Sequence, residues 1–278
     1  MLSYQHSYHA GNFADVMKHA ILTRLLNYLT QKDKPLLYLE THAGRGLYDL
    51  QDKHALKTNE SALGIQAVWE NRGKLSSLFE PYLNNIQCVN TKENLRYYPG
   101  SPEIAIQNLR SEDRAIFCEL HPAEFTYLQK LSSKRRISFK KEDGLKVLNA
   151  ALPALERRGI IFIDPSYERK AEYQEITQAL KAAYKRSATM TYCVWYPILN
   201  NQMQTHFLRH LKGVDENSLR LEFYISDANT SSKFTGMTGS GLWIINPPYT
   251  LAQEAKQMLK ELTNIIQPQS SSYLIELG

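Results

Sequence analysis

Apolar positions follow two rhythms along this chain. In "NFADVMKHAILTRLLNYLTQKDK" they recur at helical spacing through Val16, Ala20, Leu22, Leu25, Leu26 and Leu29, and Asn12 stands where an N-cap belongs, which predicts an amphipathic helix. Next, "PLLYLETHAGRG" is a short apolar run entering a glycine-bearing turn, the pattern of a buried parallel strand over residues 36–40. The same shape returns at "RAIFCELHP", at the more amphipathic "RISFKKEDG", at "GIIFIDPSY" and at "TMTYCVWYP". Helical patterns lie between them: "AEFTYLQKLSS", "GLKVLNAALPALERR" and "YQEITQALKAAYKRS". Strands alternating with helices predict an α/β fold, a mostly parallel sheet covered on both faces.

Two regions break the alternation. The strands at 36–40 and 115–119 are too far apart for one crossover helix, and "SALGIQAVWE" and "LSSLFEPYLNNI" between them are helical. Residues 47–95 are therefore read as a small inserted helical subdomain on the rim of one domain spanning 1–278. Near the end, "RLEFYISD" and "SGLWIINPP" lie close enough to form an antiparallel hairpin. The Gly, Ser and Thr-rich "ANTSSKFTGMTGSG" joins them as a mobile loop, and "LAQEAKQMLKELTNII" predicts a last helix.

Composition narrows the picture. Of 278 residues, 43% are hydrophobic, enough for a sizeable core. No run of about 18 apolar residues marks a membrane span, and "MLSYQHSYHAGNF" lacks the apolar core of a signal peptide. The three cysteines, Cys88, Cys118 and Cys193, are too scattered for a disulfide framework or a CxxC metal site, which fits a reducing cytoplasm. The histidines near the start show no second ligand pair at metal spacing, so no metal is expected. A net charge of +5 favours a polyanionic partner. The basic run "KLSSKRRISFKK" reads equally as a phosphate contact or a solvated face.

In an open parallel sheet, ligands bind beyond the carboxyl ends of the strands, so the residues just after each strand carry the chemistry. The first strand is followed by "ETHAGRG", with Glu40, His42, Gly44 and Gly46; Asp49 stands where a nicotinamide-type third glycine belongs. The second ends in Glu119, a candidate acceptor for two ribose hydroxyls or a solvated acid. The third ends in Asp143-Gly144, which would read an adenine amine or cap a helix. The fourth ends in "DPSY", Asp164 to Tyr167. These four features in this order are the layout of a Rossmann-like S-adenosylmethionine-dependent methyltransferase. A second loop, "NPPY" from Asn246, ends the last strand. If that strand is antiparallel its end points to the opposite edge, so Asn246 is set aside and Asp164 chosen. Asp164 and the Pro165 carbonyl would hold an exocyclic amine, with Tyr167 stacked on its base, which must leave its own stack to enter.

The segments "MLSYQHSYHAGNFADVMKH", "YLETHAGRGLY", "LRYYPGSP", "ELHP", "EDG", "RRGIIFIDPSYE" and "WYPI" resemble the RlmJ family, from Met1 to about Tyr249. That resemblance implies methylation of an adenine N6 in 23S rRNA before full subunit assembly, a Rossmann-like domain with an inserted helical subdomain, and S-adenosylmethionine as cofactor. It implies cofactor contacts at His19, His42, Ser101, Glu119, Asp143, Gly144 and Asp164, and substrate RNA contacts at Lys18, Tyr4 and His6. A monomer is expected. The family loop is usually Asp-Pro-Pro-Tyr, so Ser166 is a departure that loosens the loop. The polar, aromatic segment before Lys18 is read as a lid that orders when an adenine enters, with His19 turned to the cofactor and Lys18 to incoming RNA. The rivals are a methyltransferase acting on DNA adenine or protein glutamine, and a nucleic-acid-binding relative without catalysis.

Overall fold

A computed structural model describes residues 5–91, 94–131, 136–199, 203–225, 236–267 and 269–278. The first helix, α1, runs Phe13–Thr30, and the Asn12 side chain accepts from the Asp15 N–H at 3.0 Å as its cap. Its polar face is not exposed: Asp15, Lys18, His19 and Thr23 are buried alongside Val16, Met17 and Leu22. The amphipathic reading is corrected here, because α1 is wedged between the sheet and other helices and its polar residues face a site.

The chain continues through β1 (Leu37–Glu40), β2 (Leu47–Asp49), α2 (Lys53–Thr58), α3 (Ile65–Glu70), α4 (Glu80–Cys88), β3 (Tyr97–Pro99), α5 (Ser101–Asn108), β4 (Arg114–Cys118), α6 (Pro122–Leu128) and β5 (Ile137–Lys140). It then forms α7 (Gly144–Ala151), β6 (Gly159–Ile163), α8 (Ala171–Arg186), β7 (Thr191–Leu199), α9 (Met203–Lys212), β8 (Ser218–Tyr224), β9 (Met237–Ile245), α10 (Leu251–Thr263) and β10 (Ser272–Leu277).

Eight strands make one sheet in the order β10-β8-β9-β7-β6-β1-β4-β5. Pairing is parallel from β7 through β6, β1 and β4 to β5. β9 runs antiparallel to both β7 and β8. The fold is the expected Rossmann-like α/β methyltransferase type, with strand order reversing around β1. Alternate residues of each strand serve opposite faces. Tyr38, Phe117 and Phe162 join one apolar cluster, while Leu37, Leu39, Ile161 and Ile163 join the other. A sheet covered on both faces needs such unbroken apolar strands.

Two strand pairings were not anticipated. β10 extends the sheet antiparallel to β8, and β2 pairs antiparallel with β3 in a separate two-stranded sheet. α2, α3 and α4 lie between β2 and β3. Their apolar residues Ile65, Trp69, Tyr82 and Ile86 share one buried cluster with α1. The loop before β9 is shorter than expected, since the strand already begins at Met237; residues 226–235 lie outside the described residues, as do 132–135 of the basic run. Among the described residues no helix is long and apolar enough to cross a membrane, and no group of three or more His, Cys, Asp or Glu could hold a metal ion.

Candidate active site

A cleft of about 830 Å³ opens at the carboxyl ends of the parallel strands and includes His19, His42, Ser101, Glu119, Asp143, Gly144 and Asp164 in its lining. The seven residues that the family resemblance implies as cofactor contacts are thus brought together in one cleft. Lys18, His6, Pro165 and Tyr167 line the same cleft. Tyr4 lies outside the described residues.

One end of the cleft is built for hydrogen bonding. Glu119 accepts from the Gly44 N–H at 2.8 Å and from the His121 N–H at 2.6 Å, one bond on each oxygen. Burial raises its carboxyl, and the two N–H groups oppose that. A carboxylate has about four acceptor positions, so this orientation leaves capacity for two more donors. Asp143 caps α7, accepting from the Leu145 N–H at 2.9 Å; the capping role and a place in the cleft are compatible. Gly144 is required where it stands, because a Cβ there would lie 2.0 Å from the Thr41 carbonyl oxygen. Leu120, 51% exposed, and Leu145 also line the cleft. Sequence reading passed over both, although a leucine directly after a strand-end acid and one directly after Asp-Gly were visible.

Deeper in, Glu40 is fully buried and accepts from Ser101 Oγ at 2.5 Å and from the Tyr38 hydroxyl at 3.0 Å. Burial holds its carboxyl well above the ordinary range. Burial also lowers His42 to about 4, against the pull of Asp143, and its Nδ1 lies 2.8 Å from Thr41 Oγ1. His19 is lowered to about 3, again chiefly by burial. Its Nδ1 lies 2.7 Å from the Tyr98 hydroxyl, which contacts the Tyr82 hydroxyl at 3.1 Å. Both histidines are neutral at physiological pH.

At the other end, Lys18 Nζ donates to Asp164 Oδ2 at 2.6 Å and lies 3.0 Å from Asp15 Oδ1. His6 Nε2 and the Gly11 N–H both donate to Asp15 Oδ2 at 2.9 Å. Burial disfavours charge on Lys18, but Asp164 and Asp15 outweigh it and hold the ammonium above its usual range. Burial raises Asp164 despite Lys18, whereas Asp15 is drawn well below its usual range, His6 and Lys18 overcoming its burial. The Lys18 side chain, expected to meet incoming RNA, lines the cleft but is 4% exposed, its cationic end enclosed by two carboxylates with the Trp195 ring centroid 5.3 Å away. Asp15 and Trp195 were missed in the sequence, Asp15 because an acid in a first helical turn is ordinary.

Tyr167 sits at φ +54°, which a non-glycine residue adopts only when held. Its hydroxyl donates to the Trp195 carbonyl at 2.6 Å, and its ring centroid is 4.4 Å from that of Tyr173. The Asn246 loop is elsewhere. Asn246 Nδ2 donates to the Ala188 and Met190 carbonyls at 2.6 and 2.9 Å, beside the start of β7, at the edge opposite the cleft.

The described part of the N-terminal segment, expected to act as a lid, is packed on the residues around α2. His9 Nδ1 donates to Glu60 Oε1 at 2.8 Å, Asn12 Nδ2 to Glu60 Oε2 at 3.0 Å, and the Tyr8 ring stacks on His54 at 4.4 Å. Ser7 and Ala10 are buried. Gly64 admits the segment, since a Cβ there would lie 2.1 Å from the Gly11 carbonyl oxygen. These partners offset part of the cost of ordering residues 5–12.

Comparison with known proteins gives a consistent result. A family model described as "Ribosomal RNA large subunit methyltransferase D, RlmJ" matches residues 33–276. The Escherichia coli (strain K12) protein named Ribosomal RNA large subunit methyltransferase J is 40% identical over 275 residues, covering 98% of this chain and 97% of its own. A Haemophilus influenzae protein of the same name is 41% identical over 280 residues, covering 99% and 98%. A crystal structure of a Legionella pneumophila protein is 52% identical with a TM-score of 0.92, covering 97% and 98%. With its parallel-sheet cleft and the matched span taken together, the chain belongs to the RlmJ family of ribosomal RNA large subunit methyltransferases.

Proposed function

We propose that this protein transfers the methyl group of S-adenosylmethionine to the N6 amine of an adenine in 23S rRNA. The observation that carries the reading is Asp164, a largely enclosed carboxylate just past the end of β6, its side chain 12% exposed and hydrogen-bonded to Lys18, facing the same cleft as Glu119, Asp143 and His42. The curated relatives bear the name of a large-subunit rRNA methyltransferase, which supports the choice of acceptor polymer.

The residues present fit the cofactor. Glu119, oriented by two backbone N–H groups, suits a pair of ribose hydroxyls. Leu120 and Leu145 offer apolar faces for an adenine ring, beside Asp143 for its amine. When bound, S-adenosylmethionine supplies an electrophilic methyl group on a cationic sulfur. The protein's part is positioning and charge. An amine conjugated to a purine is a weak nucleophile, and an N–H bond donated to Asp164 with another to the Pro165 carbonyl would turn its lone pair toward the methyl group. The carboxylates of Asp15 and Asp164 flanking Lys18 form an environment favourable to a sulfonium and able to receive the amine's departing proton. Tyr167, fixed through its hydroxyl, borders the place for the base.

Radiolabelled methyl transfer to protein-free 23S rRNA, assembled large subunits and adenine-containing DNA tests the acceptor. Label is expected on the free 23S rRNA, and label confined to DNA would overturn the reading. Glu119→Ala is expected to weaken S-adenosylmethionine binding by about 1.5–3 kcal/mol, the worth of a charge-assisted hydrogen bond. RNA affinity stays as it was. Calorimetry showing unchanged cofactor affinity would remove Glu119 from the site.

A further inference from the structure

We infer that Asp15 is a positioning residue for the reaction: it fixes the Lys18 ammonium on one oxygen of Asp164 and the His6 imidazole at the cleft. The inference rests on the adenine-methylation reading above. Its basis is a continuous chain of polar contacts from Asp164 Oδ2 to Lys18 Nζ at 2.6 Å, from Nζ to Asp15 Oδ1 at 3.0 Å, and from Asp15 Oδ2 to His6 Nε2 at 2.9 Å. The Gly11 N–H completes the shell of Asp15 at 2.9 Å.

An acid in the first turn of a helix ordinarily faces solvent and favours the helix dipole. Asp15 instead has a side chain 1% exposed, and its two oxygens join His6, Gly11 and Lys18. Burying a carboxylate is costly unless charge and hydrogen bonds compensate it; here the compensation comes from Lys18, His6 and Gly11. The arrangement divides the ammonium between two carboxylates. Lys18 has three N–H donors on a flexible stem. With Asp15 taking one, the ammonium stays on Asp164 Oδ2, and Oδ1 is the oxygen to which the incoming amine donates. Without Asp15, nothing restrains the ammonium from bridging both Asp164 oxygens and competing with the amine. His6 would lose its bond to Asp15 in the same change, so one residue links the His6 imidazole to the amine acceptor. No bond is made or broken by Asp15; its effect passes through Lys18 and His6.

The test combines a spectroscopic signature with a double-mutant cycle. In protein labelled with ¹⁵N-lysine, Lys18 is expected to give a slowly exchanging ammonium cross-peak, identified by its loss in Lys18→Met and broadened away in Asp15→Asn. A wild-type protein without that cross-peak, or an Asp15→Asn variant that keeps it, overturns the proposal. In turnover on protein-free 23S rRNA, Asp15→Asn is expected to lower kcat about tenfold or more with KM for RNA within about twofold. The double variant is expected to be no slower than Lys18→Met alone, because one residue acts through the other. Losses that multiply would mean a merely structural role and overturn it. The ammonium signal is read without RNA. Failure of the adenine reading would therefore show as a wild-type protein that transfers nothing, and failure of this proposal as an unaltered signal.

Discussion

Asp164→Ala is expected to reduce methyl transfer at least about a hundredfold while the protein stays folded and binds much of its cofactor. The variant removes the acceptor for the amine's N–H and for its proton, a loss of roughly 3 kcal/mol of transition-state stabilisation. Folding survives because the Lys18 ammonium keeps Asp15 at 3.0 Å and is not stranded. The matching change in the other loop, Asn246→Ala, is expected to leave turnover near wild type. It costs stability instead, about 1–3 kcal/mol, since the Ala188 and Met190 carbonyls lose their donor. Single-turnover kinetics and thermal unfolding on both variants separate the two effects. A dead Asn246 variant beside an active Asp164 variant would show that the wrong loop was chosen. The acid side of the pH–rate profile follows from the same carboxyl. Burial raises Asp164 above the ordinary aspartate range, so activity is present above that raised value and is lost as pH falls through it.

Deleting residues 1–10 is expected to lower both stability and turnover. A frayed tail would cost nothing to remove, but this segment supplies the His6 bond to Asp15, the His9 bond to Glu60 and the Tyr8 stack on His54. It also buries Ser7 and Ala10. Part of the lost interaction energy is offset by the entropy no longer spent on ordering these residues. A net loss on the order of 2 kcal/mol lowers Tm by about 3–4 °C in a domain of this size. Differential scanning calorimetry of the truncated protein checks it. An unchanged Tm would mean that the packing of residues 5–10 contributes nothing, and full turnover on RNA that the segment has no part in the reaction.

The topology explains how much of this was legible. The rule that ligands sit at the carboxyl ends of parallel strands selected His42, Glu119, Asp143 and Asp164, each within three residues of a strand's end, and all four line the cleft. The same rule separated Asp164 from Asn246, because a strand's direction decides the edge at which its last residue emerges. What local pattern does not encode is the partner of a polar residue on a helix. Lys18 meets Asp164 across 146 positions and His19 meets Tyr98 across 79. A helical wheel gives the direction of each side chain but not what waits there, so the two carboxylates that enclose Lys18 could not be read from the helix alone. β10 went unread for another reason. Its six residues, "SYLIEL", follow a serine run at the chain end and alternate weakly, so only the open edge of β8 makes them a strand.

The central claim is that the acceptor is an adenine amine held by Asp164. Its most direct test is to incubate the protein with S-adenosylmethionine and protein-free 23S rRNA, digest the product to nucleosides and identify the methylated one by mass spectrometry against standards. N6-methyladenosine, formed by the wild-type protein and absent with Asp164→Ala, is the predicted result. A methyl group on a ring carbon, a ribose oxygen or another base, or N6-methyladenosine formed equally well without Asp164, would contradict it.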